Sequence, residues 1–394
     1  MFPADGYNQA MHRRGTAHML GGLTPRRFLS RHWQKRPLLV RQALPQFASM
    51  LEPAELMRLA CREDAQSRVV IRQGRRWDVH HGPFSAGFFK RLKSGTWSLL
   101  VQDVNHFLPR AKELLQRFDF VPCARLDDLM ISYAPPGGGV GPHFDSYDVF
   151  LVQGSGRRRW RIGAQRDLSL VPGAPLKLLA RFRPEQEYVL EPGDMLYLPP
   201  GYAHDGVAVE ACTTYSVGFR APAWHDLGVQ FLAYLQDHIG LDGLYRDPAL
   251  VPTRRPAQVP RQMVREAAAQ LARLRWDQRM VLRFLGCYLT EPKAHVYFTR
   301  PQAPLSRAVF LGRARRGGVV LDLKTQMLYA PRAVFVNGEY LDPGGCAPRL
   351  RELADGRALR LAADDGPELA DMLYGWYRAG HLHLVPAPTS PETR

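Results

Sequence analysis

The chain has 394 residues, 45% hydrophobic and 23% charged, a balance that excludes a largely disordered chain, a collagen-like repeat and a coiled-coil rod. Its formal charge is +16, from 53 Lys and Arg against 37 Asp and Glu, which favours anionic partners such as RNA without specifying a fold. No apolar run approaches the roughly 18 residues of a membrane span, and five scattered cysteines without a CxxC pair argue against a disulfide framework or a zinc ribbon.

In chain order, residues 1–22 are polar, basic and glycine-containing with no apolar period, and predict a flexible N-terminal extension. No secretory signal is expected there, so a cytoplasmic protein without membrane association is the natural expectation. Thr24-Pro25 is a helix start, with Thr24 as N-cap and Pro25 in the first turn. A second helix is expected over 53–61, followed by short strands and turns from Val69 onward. Residues 1–110 hold 18 basic against 7 acidic residues, whereas residues 111–222 hold 12 against 13. The basic N-terminal region is therefore the candidate electrostatic face for an RNA contact.

Residues 126–220 read as all-β, with strands expected at 129–134, 143–153, 158–163, 188–190, 195–198, 206–210 and 213–219. Pro/Gly punctuation separates them, the pattern of a barrel or sandwich. The character changes at Ala223. Residues 224–239 and 260–289 carry helical apolar spacing, more apolar surface than one small barrel edge can bury, and predict a two-fold homodimer. Residues 301–394 form a small α+β unit. Its strands are expected at 319–323, 327–330 and 334–336, with Asn337-Gly338 as a hairpin turn, and its helices at 303–310 and 367–379.

Three segments carry chemistry. In Gly141-Pro142-His143-Phe144-Asp145, a strand would project His143 and Asp145 from one face. Imidazole and carboxylate together suit Fe(II), with coordination positions left open. In Glu191-Pro192-Gly193-Asp194-Met195-Leu196-Tyr197-Leu198-Pro199-Pro200-Gly201-Tyr202-Ala203-His204, a turn, an apolar strand and a bend return the chain to the barrel mouth, making His204 the third ligand candidate. Between them, alternation in Arg157-Arg158-Arg159-Trp160-Arg161-Ile162 puts Arg158 on the buried face of Trp160 and Ile162. An inward Arg needs an anion, and a ligand carboxylate held bidentately supplies one. Arg157, Arg159 and Arg161 are expected as a solvated outward stripe. The glycines of 136–142 lack a following Lys-Ser/Thr, so they are not a phosphate loop but a flexible lip. His80-His81 and His381/His383 have no carboxylate at ligand spacing and are expected as surface histidines.

The order of these features resembles the JmjC-type, 2-oxoglutarate-dependent Fe(II) oxygenases, and most of all the bacterial YcfD-type ribosomal-protein hydroxylases. The residues that carry the likeness are Arg31-His32-Trp33-Gln34-Lys35-Arg36-Pro37, Asp127-Asp128-Leu129-Met130-Ile131-Ser132, Pro136-Gly137-Gly138-Gly139, Tyr147-Asp148-Val149-Phe150, Gln153-Gly154 and Tyr215-Ser216-Val217-Gly218-Phe219-Arg220. They span about residues 23–222. The resemblance implies a mainly β catalytic domain, a double-stranded β-helix of the cupin/JmjC kind, over 23–222. An α-helical dimerisation region over 223–300 and a small α+β winged-helix domain over 301–394 would follow it. It implies Fe(II) on His143, Asp145 and His204, and 2-oxoglutarate on Arg158 with help from Ser132. Asp128 and Tyr147 would then contact a substrate arginine side chain, since a carboxylate and an aromatic face suit a guanidinium. Thr214 departs from relatives that carry Asn before the Tyr-Ser-Val-Gly-Phe run.

The function implied is Fe(II)-, O2- and 2-oxoglutarate-dependent 3-hydroxylation of an arginine in a large-subunit ribosomal protein. The alternatives are histidine hydroxylation of another ribosomal protein, N-methyl-lysine demethylation, or a non-catalytic ribosome- or RNA-binding module with a vestigial cupin. Asp128 separates the first from a histidine hydroxylase, because a carboxylate favours guanidinium over neutral imidazole.

Overall fold

In a computed structural model the described residues are 16–92 and 95–385. They divide into two compact units. One comprises residues up to Ala221 with Pro292–Thr325 and the chain from Asp355 on; the other comprises Pro222–Glu291 and Gln326–Ala354.

The first unit is built on two antiparallel sheets. Its strands are β1 (Leu38–Val40), β2 (Ser67–Gln73), β3 (Arg76–His81), β4 (Thr96–Val101), β5 (Leu126–Ala134), β6 (Val149–Gln153), β7 (Arg158–Gly163), β8 (Gln186–Leu190), β9 (Met195–Leu198), β10 (Ala203–Ala208) and β11 (Cys212–Phe219). The larger sheet runs β1-β9-β6-β11-β5-β4-β2-β3 and the smaller β10-β7-β8, the paired arrangement of a double-stranded β-helix. Strands β6, β9 and β11 are buried at every position. That is the mark of strands covered on both faces.

The period-2 alternation of side chains sorts the two faces. Phe150, Val152, Tyr197, Tyr215, Val217 and Phe219 point outward into a core with Phe28, Leu56 and Leu114. These last come from helices α1 (Pro25–Arg31), α2 (Pro53–Leu59) and, beyond the short α3 (Ala86–Arg91), α4 (Pro109–Gln116). The intervening Val149, Leu151, Leu196 and Leu198 point inward and meet Trp160 and Ile162 of the smaller sheet. Thr24 caps α1 by accepting the Arg27 N–H at 3.3 Å, as its sequence predicts. The Arg31–Pro37 signature is a fastener: Gln34 donates its N–H to the Tyr197 hydroxyl at 2.8 Å and its side-chain amide to Asp148 at 3.0 Å.

Several expectations change. Residues 16–19 form a helical turn, and Met19 and Leu20 are buried in the main core, so the flexible extension does not reach residue 22. Residues 1–15 lie outside the described residues. The strand expected over 143–153 begins only at Val149; His143 instead forms a one-residue bridge with His204.

In the second unit, helices α5 (Trp224–His238), α6 (Arg261–Leu271) and α7 (Gln278–Thr290) replace the two expected helices, because the chain breaks between Leu271 and the Asp277 cap of α7. Phe284 of α7 packs on Phe231 of α5 with ring centroids 5.1 Å apart. Elsewhere, α8 (Arg307–Arg316) lies C-terminal to the expected 303–310, capped by Ser306, and precedes β12 (Val319–Leu321). The strands β13 (Met327–Ala330), β14 (Ala333–Val336) and β15 (Glu339–Leu341) of the second unit form a meander. Asn337 (φ 52°) and Gly338 (φ 89°) make its predicted turn, both left-handed as a two-residue hairpin requires. Gly286 of α7 lets the Phe335 ring of β14 lie against the helix backbone. After α9 (Ala347–Gly356), the first unit closes with β16 (Ala358–Leu359), α10 (Pro367–Ala379) and β17 (Leu382–Leu384); α10 matches its predicted bounds.

Candidate active site

The inward faces of the two sheets enclose a cavity of about 460 Å³. Alternation delivers Asp128, Met130 and Ser132 of β5 to its wall, and likewise Thr214, Ser216 and Gly218 of β11. His143 and His204 meet there across their bridge, whose two backbone hydrogen bonds measure 2.9 and 2.8 Å. Asp145 follows in the turn, and its carbonyl accepts the Gly201 N–H at 2.7 Å, tying the His-x-Asp segment to the Pro-Pro-Gly bend. One ligand atom from each of His143, Asp145 and His204 lies within 4.8 Å of the others.

The imidazoles are oriented for coordination. His143 Nδ1 donates to Gly141 O at 2.8 Å and His204 Nδ1 donates to Tyr202 O at 2.9 Å. Those bonds fix the tautomer and leave each Nε2 lone pair free, the outer-sphere arrangement typical of metal-bound histidine. Burial first, and the neighbouring His143 second, push His204 down to about 4, so its ring is neutral near pH 7.

Arg158 lies on the buried face of β7, as the alternation predicts, and is 5% exposed. Its Nη1 donates to Ser132 Oγ at a long 3.5 Å, and its guanidinium sits 5.8 Å from the Trp160 ring. Among the described residues Nε and Nη2 have no hydrogen-bond partner. A buried guanidinium with two unspent donors is costly unless an anion completes it.

Asp128 is 7% exposed, and its Oδ2 accepts the Asp103 N–H at 3.1 Å. Burial, then the charges of Asp103 and Asp127, raise its carboxyl to about 7. Tyr147, at the rim and 41% exposed, is held above the usual phenol range, first by desolvation and then by Asp145 and Asp128.

The family model described as JmjC domain matches residues 113–227, and the one described as ROXA-like winged helix matches 273–383. A curated relative, the ribosomal protein uL16 3-hydroxylase of Escherichia coli (strain K12), is 37% identical over 347 residues, covering 87% of this chain and 92% of that protein. The chain belongs to the JmjC ribosomal oxygenases. The crystal structure of E. coli YcfD superposes with a TM-score of 0.81 at 34% identity, covering 92% of this oxygenase and 98% of that chain. A second YcfD structure, in complex with cobalt and 2-oxoglutarate, gives 0.77 at 35% identity over 90% and 96%. Iron, 2-oxoglutarate and O2 are the cofactor and co-substrates of this enzyme class.

The oxygenase fits them residue by residue. Two imidazoles and a carboxylate form a donor set for Fe(II), and the unspent Arg158 donors suit a dicarboxylate. Thr214 faces Ser132 across the β5–β11 ladder, but its hydroxyl donates to Gln153 Oε1 at 3.3 Å.

Other expectations are corrected. The outward arginines are not a bare solvated stripe. Arg161 pairs with buried Asp205 at 2.6 Å, and Arg157 with Glu210 at 3.2 Å. His383 is at the surface as expected, and its Nε2 lies 2.7 Å from Asp322 Oδ2 of a segment distant in sequence. The glycine lip is a packed loop: Gly137 N–H donates to Ala208 O and Ala208 N–H to Gly138 O, both at 2.8 Å, and a Cβ on Gly139 would stand 2.6 Å from Gly206 O.

Sequence reasoning missed Asp103, Lys293 and His295. Lys293 Nζ lies 2.9 Å from Asp103 Oδ1 and 3.3 Å from Asp127 Oδ1, and His295 Nε2 lies 3.2 Å from Asp103 Oδ2. No local pattern announces them, because Asp103 and Lys293 are 190 positions apart.

Proposed function

We propose that this oxygenase 3-hydroxylates an arginine side chain of a large-subunit ribosomal protein, uL16 being the protein in the name of the E. coli relative. The observation that carries the co-substrate half of this reading is Arg158, buried in the same cavity as the His143–Asp145–His204 cluster with two donors unspent. In this reading His143, Asp145 and His204 hold the metal, and Arg158 with Ser132 holds the distal carboxylate of 2-oxoglutarate. Iron supplies the activation of O2, with 2-oxoglutarate oxidised to succinate and CO2 while one oxygen atom enters the substrate C–H bond.

Asp128 receives the guanidinium and Tyr147 packs beside it. Val149, Leu151 and Trp160 supply the apolar wall that keeps the reacting carbon out of bulk water. A carboxylate on this wall supports a cationic side chain over a neutral imidazole.

The same reading includes a homodimer. Trp224, Leu232, Val264, Leu271 and Trp276 are all more than half exposed on or beside the helices of the second unit, and a second copy of this face would cover them. It also includes a ribosomal RNA contact through the exposed Arg26, Arg27, Arg31, Lys35 and Arg36 around α1. Among the described residues no helix is long and apolar enough to cross a membrane, and a ribosomal substrate supports a cytoplasmic place of action.

Mass spectrometry of ribosomal proteins from cells with and without this gene tests the activity. A gene-dependent shift of about +16 Da, one oxygen atom, on a uL16 arginine is expected. Its absence from every ribosomal protein would overturn the reading. Light scattering tests the dimer, which fails if the full chain behaves as a 44.6 kDa particle at micromolar concentration.

A further inference from the structure

Three carboxylates converge behind the substrate wall. Asp103 is 1% exposed and held in a left-handed backbone conformation (φ 53°), which aims its N–H at Asp128. Asp127 and Asp128 both line the cavity. Two permanent cations answer them. Lys293 bridges Asp103 and Asp127, and Arg220 Nε lies 3.4 Å from Asp127 Oδ1. His295 Nε2 lies 3.2 Å from the other Asp103 oxygen, Oδ2.

One carboxylate is therefore left without a cation of its own, and it is Asp128. Its Oδ2 is committed to the Asp103 N–H, while among the described residues Oδ1 takes no hydrogen bond. Oδ1 instead faces Gly218, where a Cβ would stand 3.3 Å away. The glycine leaves open space before that oxygen. Like charges this close would compete for any cation that entered, and a guanidinium drawn to Asp127 would present the wrong carbon to the metal ligands.

We propose that Lys293 is a positioning residue that neutralises Asp103 and Asp127, so that Asp128 alone reads the cationic side chain of the substrate. The inference rests on the arginine reading above and deepens it. Lys293 belongs to the segment after α7, far along the chain from the sheets, yet supplies the counter-charge that makes one aspartate of three the selective one. The direction of the electrostatics agrees: Asp103 and Asp127 raise the Asp128 carboxyl and Lys293 lowers it.

The test measures coupling, the moles of hydroxyarginine formed per mole of succinate, in the full-length iron-loaded enzyme with a uL16 peptide as substrate. Lys293→Met is expected to lower coupling by roughly fivefold or more while leaving KM for 2-oxoglutarate unchanged, because Asp127, left with its longer 3.4 Å contact to Arg220, then competes for the guanidinium. Adding Asp127→Asn to Lys293→Met removes the competitor and is expected to restore more than about half of the wild-type coupling, a rescue that a merely structural lysine would not show. Coupling is a ratio within one sample and is independent of the folded fraction; should Lys293→Met be insoluble, Lys293→Gln is read in the same way. Unchanged coupling in the single variant, or a double variant no better coupled than the single, overturns the inference. If the wild-type enzyme hydroxylates no arginine peptide, the arginine reading itself has failed.

Discussion

His143 and His204 hold each other by their backbones, exchanging hydrogen bonds of 2.9 and 2.8 Å, while each ring turns its Nδ1 to a carbonyl two residues earlier in its own chain. Ring orientation is thus set by main chain rather than by neighbouring side chains. Truncating either ring, or Asp145, should leave the sheets intact and remove one metal donor. His143→Ala, Asp145→Ala and His204→Ala should each weaken Co(II) binding by at least about 100-fold in titration calorimetry, with an unchanged far-ultraviolet circular dichroism spectrum. Wild-type affinity in any of the three would remove that residue from the donor set.

Gly141 supplies the carbonyl that orients His143. It sits at φ 80°, and a Cβ there would stand 2.6 Å from Leu178 Cδ2 and 2.9 Å from the Trp77 ring. Gly141→Ala should shift that carbonyl and weaken metal binding by about 10- to 100-fold, the usual cost of losing an outer hydrogen bond to a metal-bound histidine. The same calorimetric titration reads it.

Arg158 and Arg157 are neighbours in sequence and opposite in setting. Arg158→Ala should raise KM for 2-oxoglutarate by at least about 30-fold, the loss of a buried charge-assisted pair. Arg157→Ala gives up only the exposed contact to Glu210 and should change it by less than about twofold. Steady-state kinetics over a range of 2-oxoglutarate concentrations separates them, and equal effects would contradict the assigned roles.

With its carboxyl raised to about 7, Asp128 is partly protonated in the free site near neutral pH. A guanidinium binds the ionised form, so its arrival favours loss of the proton. The sign follows: kcat/KM for the arginine peptide should be highest above about pH 7 and fall as pH is lowered through it. Asp128→Asn should lower kcat/KM and flatten this limb. A wild-type profile whose acid limb matches that of Asp128→Asn would refute the role of Asp128.

What was legible in the sequence was local. The alternation of 158–162 places Arg158 inward because strand phase is fixed within a few residues, and Trp160 and Ile162 mark the buried side. The path from Pro-Pro-Gly to His204 was legible because a bend needs few residues and the Met195–Leu198 strand before it is unbroken. Where tertiary packing decides, the sequence is silent. Nothing in Gly138 and Gly139 tells a mobile lip from a loop pressed against β10. Met19 and Leu20 sit in a polar stretch whose average hides two core residues. The Asp103–Lys293 pair joins segments that no window spans.

That pair has a consequence for how such enzymes can be cut and recombined. A fragment ending near Pro222 keeps His143, Asp145 and His204 and the whole β5–β11 ladder, but it loses Lys293 and His295, leaving Asp103, Asp127 and Asp128 close together without the lysine that answers two of them. The catalytic sheets are therefore not a transplantable cassette. A graft onto a different C-terminal partner would have to bring a replacement cation to the same spot, or exchange Asp103 for a neutral residue.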